Sequence, residues 1–227
     1  MQADRYHDPA RHWDGLHVLE RFRPIYPSEA VVRFLLSGFR ERLQQGPRLS
    51  ALDIGVGGGR HTRLLCELGF DTSGVDISAE GLKQTEDLLA RLGFQATLKS
   101  AAMTELPFES NSFDVVISYG VFYYGTAADM RRAIAEVHRV LKAGGRAFVV
   151  VRTTDDFRHG KGQLLEEDTY LLTISETNEE GTVQHFLSEP ALRAAFAAFA
   201  GLEFEKMEVS FAARTAKNSD WLISVVK

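Results

Sequence analysis

Short apolar runs alternate with amphipathic stretches through the first two thirds of the chain. Residues 49–54 and the segment that ends at Asp76 are apolar enough for strands buried on both faces, and further runs occupy residues 95–99, 115–118 and 147–151. Between these runs, apolar residues recur at helical spacing. Strands that alternate with helices in this way predict a parallel sheet with right-handed crossovers.

The pattern changes in the last third of the chain. Two segments alternate as strands do and are joined by turn-forming residues, which predicts a β-hairpin. A helix capped by Ser188 follows, and the short connection between the two final strands makes them an antiparallel pair. The predicted ranges are 169–175 and 182–187 for the hairpin, 188–199 for the helix, and 203–212 and 221–227 for the final strands.

A glycine-rich turn follows the first predicted strand. Gly55, Gly57, Gly58 and Gly59 put almost no side chain between that strand and the next helix, so the backbone can take positive φ angles or lie close to a ligand. The free N–H groups of the helix N-terminus face the same gap. Asp76 follows about twenty residues later, the spacing of the acid that accepts ribose hydroxyls in nucleotide-binding βαβ units.

Composition narrows the class of protein. The 227 residues are 44% hydrophobic and 25% charged, with a formal net charge of −5, which is ordinary for a globular protein and argues against a broad nucleic-acid surface. The single cysteine, Cys66, excludes an intrachain disulfide. No cluster of potential ligands has metal-binding spacing, so we predict no metal. Without a long apolar run or a signal peptide, we expect a cytoplasmic protein with no membrane partner.

Four short motifs occur in order between residues 53 and 145. They are an acidic-x-Gly-x-Gly-x-Gly sequence at 53–59, Val-Asp-Ile-Ser at 75–78, Leu-Pro-Phe at 106–108 followed by Ser-Phe-Asp-Val-Val at 112–116, and a helix-to-strand element at 137–145. Together they resemble the class I S-adenosylmethionine-dependent methyltransferases, in particular the small-molecule branch often called type 11. One departure is Ala102, which stands where that family commonly has an acid.

The resemblance implies an α/β fold. We expect a Rossmann-like, seven-stranded, mostly parallel sheet with helices on both faces, an antiparallel last strand and an inserted β-hairpin. We interpret the chain as a single methyltransferase domain, 1–227. Its parts are an N-terminal arm (1–27), a cofactor-binding core (48–152), a hairpin insertion (153–187) and a C-terminal helix with strands (188–227). The arm is aromatic and irregular, with two prolines that break helices, and we expect it to cover the cleft.

The resemblance also implies S-adenosyl-L-methionine as cofactor and assigns residues to it. Asp76 would accept the two ribose hydroxyls, Ile77 would pack on the adenine, and the backbone at Ala102 and Met103 would meet the adenine edge. The expected cofactor-binding residues are Asp53, Gly55, Gly57, Gly59, Asp76, Ile77, Ala102, Met103, Ser118 and Tyr119.

In methyl transfer the cofactor already activates the methyl group, so the main role of the protein is to align the nucleophile with it. A base is needed only where the nucleophile must lose a proton. Tyr119, Tyr123 and Tyr124 follow the fourth predicted strand and are candidate catalytic residues, because they could act as bases or stabilise a sulfonium cation with their rings. His185 of the predicted hairpin is a fourth candidate.

The sequence favours an enzyme that methylates an O or N nucleophile of a small-molecule acceptor. One alternative is a pseudoenzyme that binds the cofactor without turnover, which is prompted by Ala102. Another is a nicotinamide-dependent oxidoreductase, disfavoured because the chain has no second substrate domain and the Leu-Pro-Phe motif would be unexplained. We expect no nucleic acid partner, and a homodimer is compatible with the sequence.

Overall fold

The computed structural model describes residues 9–19, 24–175 and 177–227. Strands and helices alternate along most of this length, as the apolar pattern predicts. The strands are β1 (Ser50–Ile54), β2 (Asp71–Asp76), β3 (Thr97–Ser100), β4 (Phe113–Tyr119), β5 (Leu141–Arg152), β6 (Gly162–Glu166), β7 (Thr169–Leu172), β8 (Val183–His185), β9 (Gly201–Phe211) and β10 (Ala216–Val226). The helices are α1 (Pro9–His17), α2 (Glu29–Gln45), α3 (Arg60–Glu67), α4 (Ala79–Leu92), α5 (Ala127–Val140) and α6 (Glu189–Ala195), with a short 3₁₀ turn at Ala212–Arg214.

Seven strands form the central sheet in the order β3-β2-β1-β4-β5-β10-β9. β1 to β5 pair in parallel, whereas β10 runs antiparallel to both of its neighbours, β5 and β9. The sheet therefore confirms the predicted mostly parallel, Rossmann-like arrangement with an antiparallel last strand. The carboxyl ends of the parallel strands meet at one edge, where open α/β sheets bind ligands.

Helices cover both faces of the sheet. On one face, Phe34 of α2 and Leu65 of α3 pack against β1, β4 and β5. On the other face, Met130 and Ile134 of α5 and Leu192 of α6 form the larger core cluster. Since both faces are covered, the central strands β1 and β4 are mostly buried and their sequences are largely apolar.

Local capping explains where two of the helices begin. Thr126 accepts the backbone N–H of Asp129 at 3.2 Å, and the Asp129 carboxylate accepts the N–H of Thr126 at 3.0 Å. This reciprocal pair starts α5 two residues before Asp129. Ser78 caps α4 by accepting the N–H of Gly81 at 2.9 Å.

A second, three-stranded sheet lies between β5 and α6 in the chain, with the order β6-β7-β8. β7 and β8 pair antiparallel, as the predicted hairpin requires. β6 is an addition that the sequence did not suggest, because four of its five residues are exposed and show no apolar alternation. Single bridges from Tyr124 to Gln184 and from Thr153 to Leu187 join this small sheet to the main one.

Two further segments differ from the sequence expectation. The N-terminal arm is expected to be irregular, but part of it forms the helix α1. Residues 1–8, 20–23 and 176 lie outside the described residues. The last strand begins at Ala216, so the stretch from Ala216 to Asp220 is strand where a connection was expected. This polar stretch lacks a strand pattern, and its pairing with β9 and β5 determines its conformation. In the described ranges, no helix combines the length and apolarity needed to cross a membrane.

Candidate active site

Asp76 is tied to the glycine-rich turn at the carboxyl edge of the sheet. Its Oδ2 accepts the backbone N–H of Gly57 at 2.8 Å, and its Oδ1 accepts the N–H of Ser78 at 2.9 Å. The contact forms because β1 and β2 are parallel neighbours whose carboxyl ends lie side by side. Each carboxylate oxygen keeps further acceptor capacity, so the side chain is held in place to receive hydroxyl donors.

The glycines of this turn allow close approach from two other segments. Gly55 has a φ of 81°, and a Cβ there would fall 2.2 Å from Cγ2 of Val121, in the loop after β4. Gly57 has a φ of 50°, and a Cβ there would lie 3.5 Å from Nε2 of His17 in α1. A side chain at Gly55 would therefore suffer both backbone strain and a clash.

Asp53 faces the protein interior. It is 1% exposed, and its Oδ2 accepts the hydroxyl of Thr62 at 2.7 Å. Burial raises the pKa of Asp53 to about 7. The expected cofactor-binding acid thus joins β1 to the first turn of α3, directly beneath the glycine turn.

A buried hydroxyl without a partner marks the end of β4. The Oγ of Ser118 is buried and has no hydrogen-bond partner among the residues that the structure describes. Buried polar atoms are rarely left unsatisfied, so an orphaned one at the ligand-binding edge is where a polar ligand group fits. The adjacent Tyr119 ring lies 5.0 Å from the guanidinium carbon of Arg60 and 5.2 Å from the His61 ring.

The loop after β3 comes up beside Asp76. The N–H of Ala101 donates to the carbonyl oxygen of Asp76 at 3.1 Å. Ile77 and Met103 are half-buried, whereas Ala102 is exposed. The expected adenine-side residues are therefore close to the expected ribose-side acid, with an alanine methyl at the one position that departs from the family pattern.

Tyr123 and Tyr124 belong to a buried polar network. The hydroxyl of Tyr124 donates to Oε1 of Glu179 at 2.6 Å, and the Arg152 guanidinium lies 4.2 Å from the centre of the Tyr123 ring. Burial raises the pKa of Tyr123 to about 12 and that of Tyr124 well above its usual value. Both phenols therefore stay protonated near neutral pH and favour hydrogen-bond donation over proton abstraction.

Glu179 is the centre of that network. Its carboxylate pairs with Nη2 of Arg152 at 2.7 Å and with Nε of Arg158 at 2.6 Å. Arg158 in turn pairs with Asp156 at 3.0 Å. Sequence reasoning missed Glu179, which is one of the turn-forming residues between the two predicted hairpin strands. No local signal identifies such a partner, because the pairs join distant loops.

His185 is joined to the tyrosine loop by its backbone, because its N–H donates to the carbonyl oxygen of Tyr123 at 2.9 Å. Its Nδ1 bonds the hydroxyl of Thr169 at 2.8 Å within the small sheet. Burial lowers the pKa of His185, and the nearest acids are Glu166 and Asp168. This setting is that of a structural histidine, and a catalytic role for His185 finds no support in its contacts.

The helix α1 lies across the carboxyl edge. The Trp13 ring contacts the Tyr124 ring edge-on at a centroid distance of 4.8 Å. From the next residue of α1 onward, Ser78 donates to Oδ1 of Asp14 at 2.7 Å and bonds Nδ1 of His17 at 2.9 Å. The helix therefore bridges the start of α4 and the loop after β4, above the glycine turn. Within the described ranges, no group of three potential ligands is placed to hold a metal ion.

The comparisons with known proteins agree with this site. A family model described as a methyltransferase domain matches residues 52–149. Over this segment the chain is similar to methyltransferase domains. An uncharacterised methyltransferase of Mycobacterium tuberculosis is 35% identical over 137 residues, which is 60% of this chain and 50% of that protein. A ubiquinone biosynthesis O-methyltransferase of Caulobacter vibrioides is 30% identical over 149 residues, covering 65% of this chain and 58% of that one.

Solved structures show the same fold. A structure titled as an S-adenosylmethionine-dependent methyltransferase of Methanosarcina mazei has a TM-score of 0.66 and 23% identity, and covers 78% of this chain and 92% of that one. The chain spans about half the length of the curated relatives it matches first. The matched segment runs from Leu52 in β1 to Val149 in β5, and it includes the glycine turn, Asp76 and Ser118.

Proposed function

We propose that this protein transfers the methyl group of S-adenosyl-L-methionine to an O or N nucleophile of a small-molecule acceptor. The observation that carries the proposal is the position of Asp76. Its carboxylate is bonded to the glycine turn at 2.8 Å, at the sheet edge where class I enzymes hold the nucleoside. This arrangement suits a ribose, which offers two hydroxyl donors to one carboxylate.

The described residues fit the cofactor. Asp76 would hold the ribose, Ile77 and Met103 the adenine, and the unpartnered hydroxyl of Ser118 a polar group of the methionine part. When bound, the sulfonium supplies an electrophilic methyl group. The protein's own contribution is to bind and orient the acceptor and to exclude water, for which α1 and the two buried tyrosines are well placed.

The names of several relatives support a small-molecule acceptor. The named relatives include a ubiquinone biosynthesis O-methyltransferase, a demethylmenaquinone methyltransferase and a sterol 4-C-methyltransferase, all named for small-molecule substrates or pathways. The net charge of −5 argues against a broad nucleic-acid surface. Because Tyr123 holds its proton, we propose that it orients the acceptor as a hydrogen-bond donor. The proton of Tyr124 already goes to Glu179, so we propose that Tyr124 packs beside the acceptor and that Tyr119 lines the methyl-transfer position.

Two measurements test the proposal in sequence. Calorimetric titration with S-adenosylhomocysteine and, separately, with NAD distinguishes a methyltransferase from a nicotinamide enzyme, and we expect binding only of the former. Release of radiolabelled methyl into a small-molecule extract of the source cells then distinguishes turnover from a pseudoenzyme. Binding of S-adenosylhomocysteine without any methyl transfer would support the pseudoenzyme instead.

A further inference from the structure

Asp220 sits at the carboxyl edge although it belongs to the antiparallel strand. Because β10 runs opposite to β5, its first residues lie beside the last residues of β5, and Asp220 pairs directly with Arg152. Cross-strand partners project from the same face of the sheet. Asp220 is half-buried, and its carboxylate has no hydrogen-bond or ion-pair partner among the residues that the structure describes.

The charges around Asp220 do not balance. Arg152 pairs with Glu179, and Arg158 pairs with both Glu179 and Asp156. The N–H of Ser219 and the guanidinium of Arg158 satisfy Asp156. With Asp220 included, two guanidinium groups face three carboxylates, so one negative charge is in excess, and Asp220 is the carboxylate without a partner.

We infer that Asp220 is the counter-ion for a protonated amine or quaternary ammonium group of the methyl acceptor. The inference rests on the proposed function and specifies its acceptor. A cation supplied by the acceptor restores the charge balance of the network. Tyr123 adjoins this network, because the Arg152 guanidinium lies 4.2 Å from its ring centre and its hydroxyl would lie 3.3 Å from a Cβ at Gly120, just after β4.

Asp220 is too far from the reacting methyl group to act as the base for transfer, so its role is to recognise the acceptor. β4, β5 and β10 are consecutive neighbours in the sheet, so β10 lies two strand spacings, about 10 Å, from β4. Ser118 and Tyr119, which would adjoin the reacting methyl group, are on β4. An acceptor that reaches from there to Asp220 carries its cationic group several bonds away from the methylated atom.

The pH dependence of the contact between Asp220 and a cationic acceptor depends on the groups around Asp220. Burial raises the pKa of Asp220 to about 6, so the carboxylate is ionised at neutral pH and becomes neutral on mild acidification. The charged and titratable groups around it are Arg152, Asp156, Arg158, Glu179, Tyr123 and, on β9, Lys206, which pairs with Asp155 and Glu208. Cationic acceptors should therefore bind more weakly as the pH falls from 7 to 5.

The test divides a small-molecule extract of the source cells on a cation exchanger at pH 7. Radiolabelled methyl should enter the retained, cationic fraction. We expect Asp220→Asn to raise the KM for that fraction by about 10-fold to 100-fold, the value of a lost hydrogen bond to a charged group, with a smaller change in kcat. The pH dependence of KM between 5 and 7 should disappear in this variant.

Controls keep the inference separate from the proposed function. Asp155→Asn removes a neighbouring exposed carboxylate and should leave KM unchanged, and both variants should bind S-adenosylhomocysteine as the wild type does. Label found only in the unretained fraction, or a KM unaffected by Asp220→Asn, would overturn the inference while the methyltransferase function stands. No label in any fraction would overturn both.

Discussion

The indole of Trp13 meets the phenol ring of Tyr124 edge-on, with ring centroids 4.8 Å apart and planes at 81°. This contact fixes the middle of α1 to the loop after β4, while hydrogen bonds from Ser78 hold Asp14 and His17 to the start of α4. His17 also lies beside the glycine turn, 3.5 Å from where a Cβ at Gly57 would be. We therefore expect α1 to close over a bound nucleoside.

Replacing Trp13 with alanine should open this cover. An edge-to-face aromatic contact contributes about 1 kcal/mol beyond the area that it buries, so Trp13→Ala should weaken binding of S-adenosylhomocysteine about fivefold. Calorimetry measures the affinity, and amide exchange in the glycine turn should rise. Arg11→Ala, at an exposed position of the same helix, is the matched control. Equal affinity in the two variants would contradict the covering role of α1.

Removing the acceptor at Asp76 should affect the nucleoside far more than the fold. Asp76→Asn replaces a carboxylate oxygen with an amide, which accepts fewer hydrogen bonds and carries no charge. We expect a loss of affinity for S-adenosylhomocysteine of about 10-fold to 100-fold. Asp71→Asn changes an exposed residue at the start of the same strand and should bind normally. Unchanged affinity in Asp76→Asn would rule out the ribose contact.

Asp53 predicts a pH dependence of stability. Its pKa is raised from 3.8 to about 7, so the native state holds this proton more tightly than the unfolded chain does. Stability contributed by the protonated form is therefore present below about pH 4 and is lost as the pH rises to about 7. The full difference is about 4 kcal/mol.

The amide of Asp53→Asn does not titrate, so this variant should escape that loss. Its free energy of unfolding relative to the wild type should rise by up to about 4 kcal/mol between pH 4 and pH 8, measured by urea denaturation at several pH values. Asp87→Asn, at an exposed site of α4, should show a flat difference. The same flat difference for Asp53→Asn would show that Asp53 has an ordinary pKa.

Glu179 should hold the small sheet against the site. Glu179→Gln leaves two buried guanidinium groups, those of Arg152 and Arg158, short of their shared counter-ion. Breaking one side of a buried ion pair costs about 3 to 5 kcal/mol. Hydrogen exchange should therefore accelerate in β6, β7 and β8 before it does in the central sheet. In Glu180→Gln, the adjacent exposed position, the exchange pattern should stay that of the wild type.

Signals that lie within a short stretch of chain were sufficient for much of this protein. The apolar runs predicted β1, β2, β4 and residues 147–151 of β5, because strands buried on both faces need apolar residues throughout. The glycine turn and Asp76 marked the ligand edge, since a backbone that must lie close to other groups tolerates only glycine there. The final antiparallel pair followed from its short connection.

Only the tertiary structure decided the relationships between distant segments. The pairs Trp13 with Tyr124 and Glu179 with Arg152 join distant segments whose sequences do not indicate their partners. β6 and the polar start of β10 are strands because neighbouring strands pair with them, which no periodicity of their own reveals. Asp220 therefore looked like part of a connection, although strand pairing places it beside Arg152. The local sequence pattern determines which residues are buried and which form turns. Which charged side chains and aromatic rings come together at a site depends on how the whole chain packs.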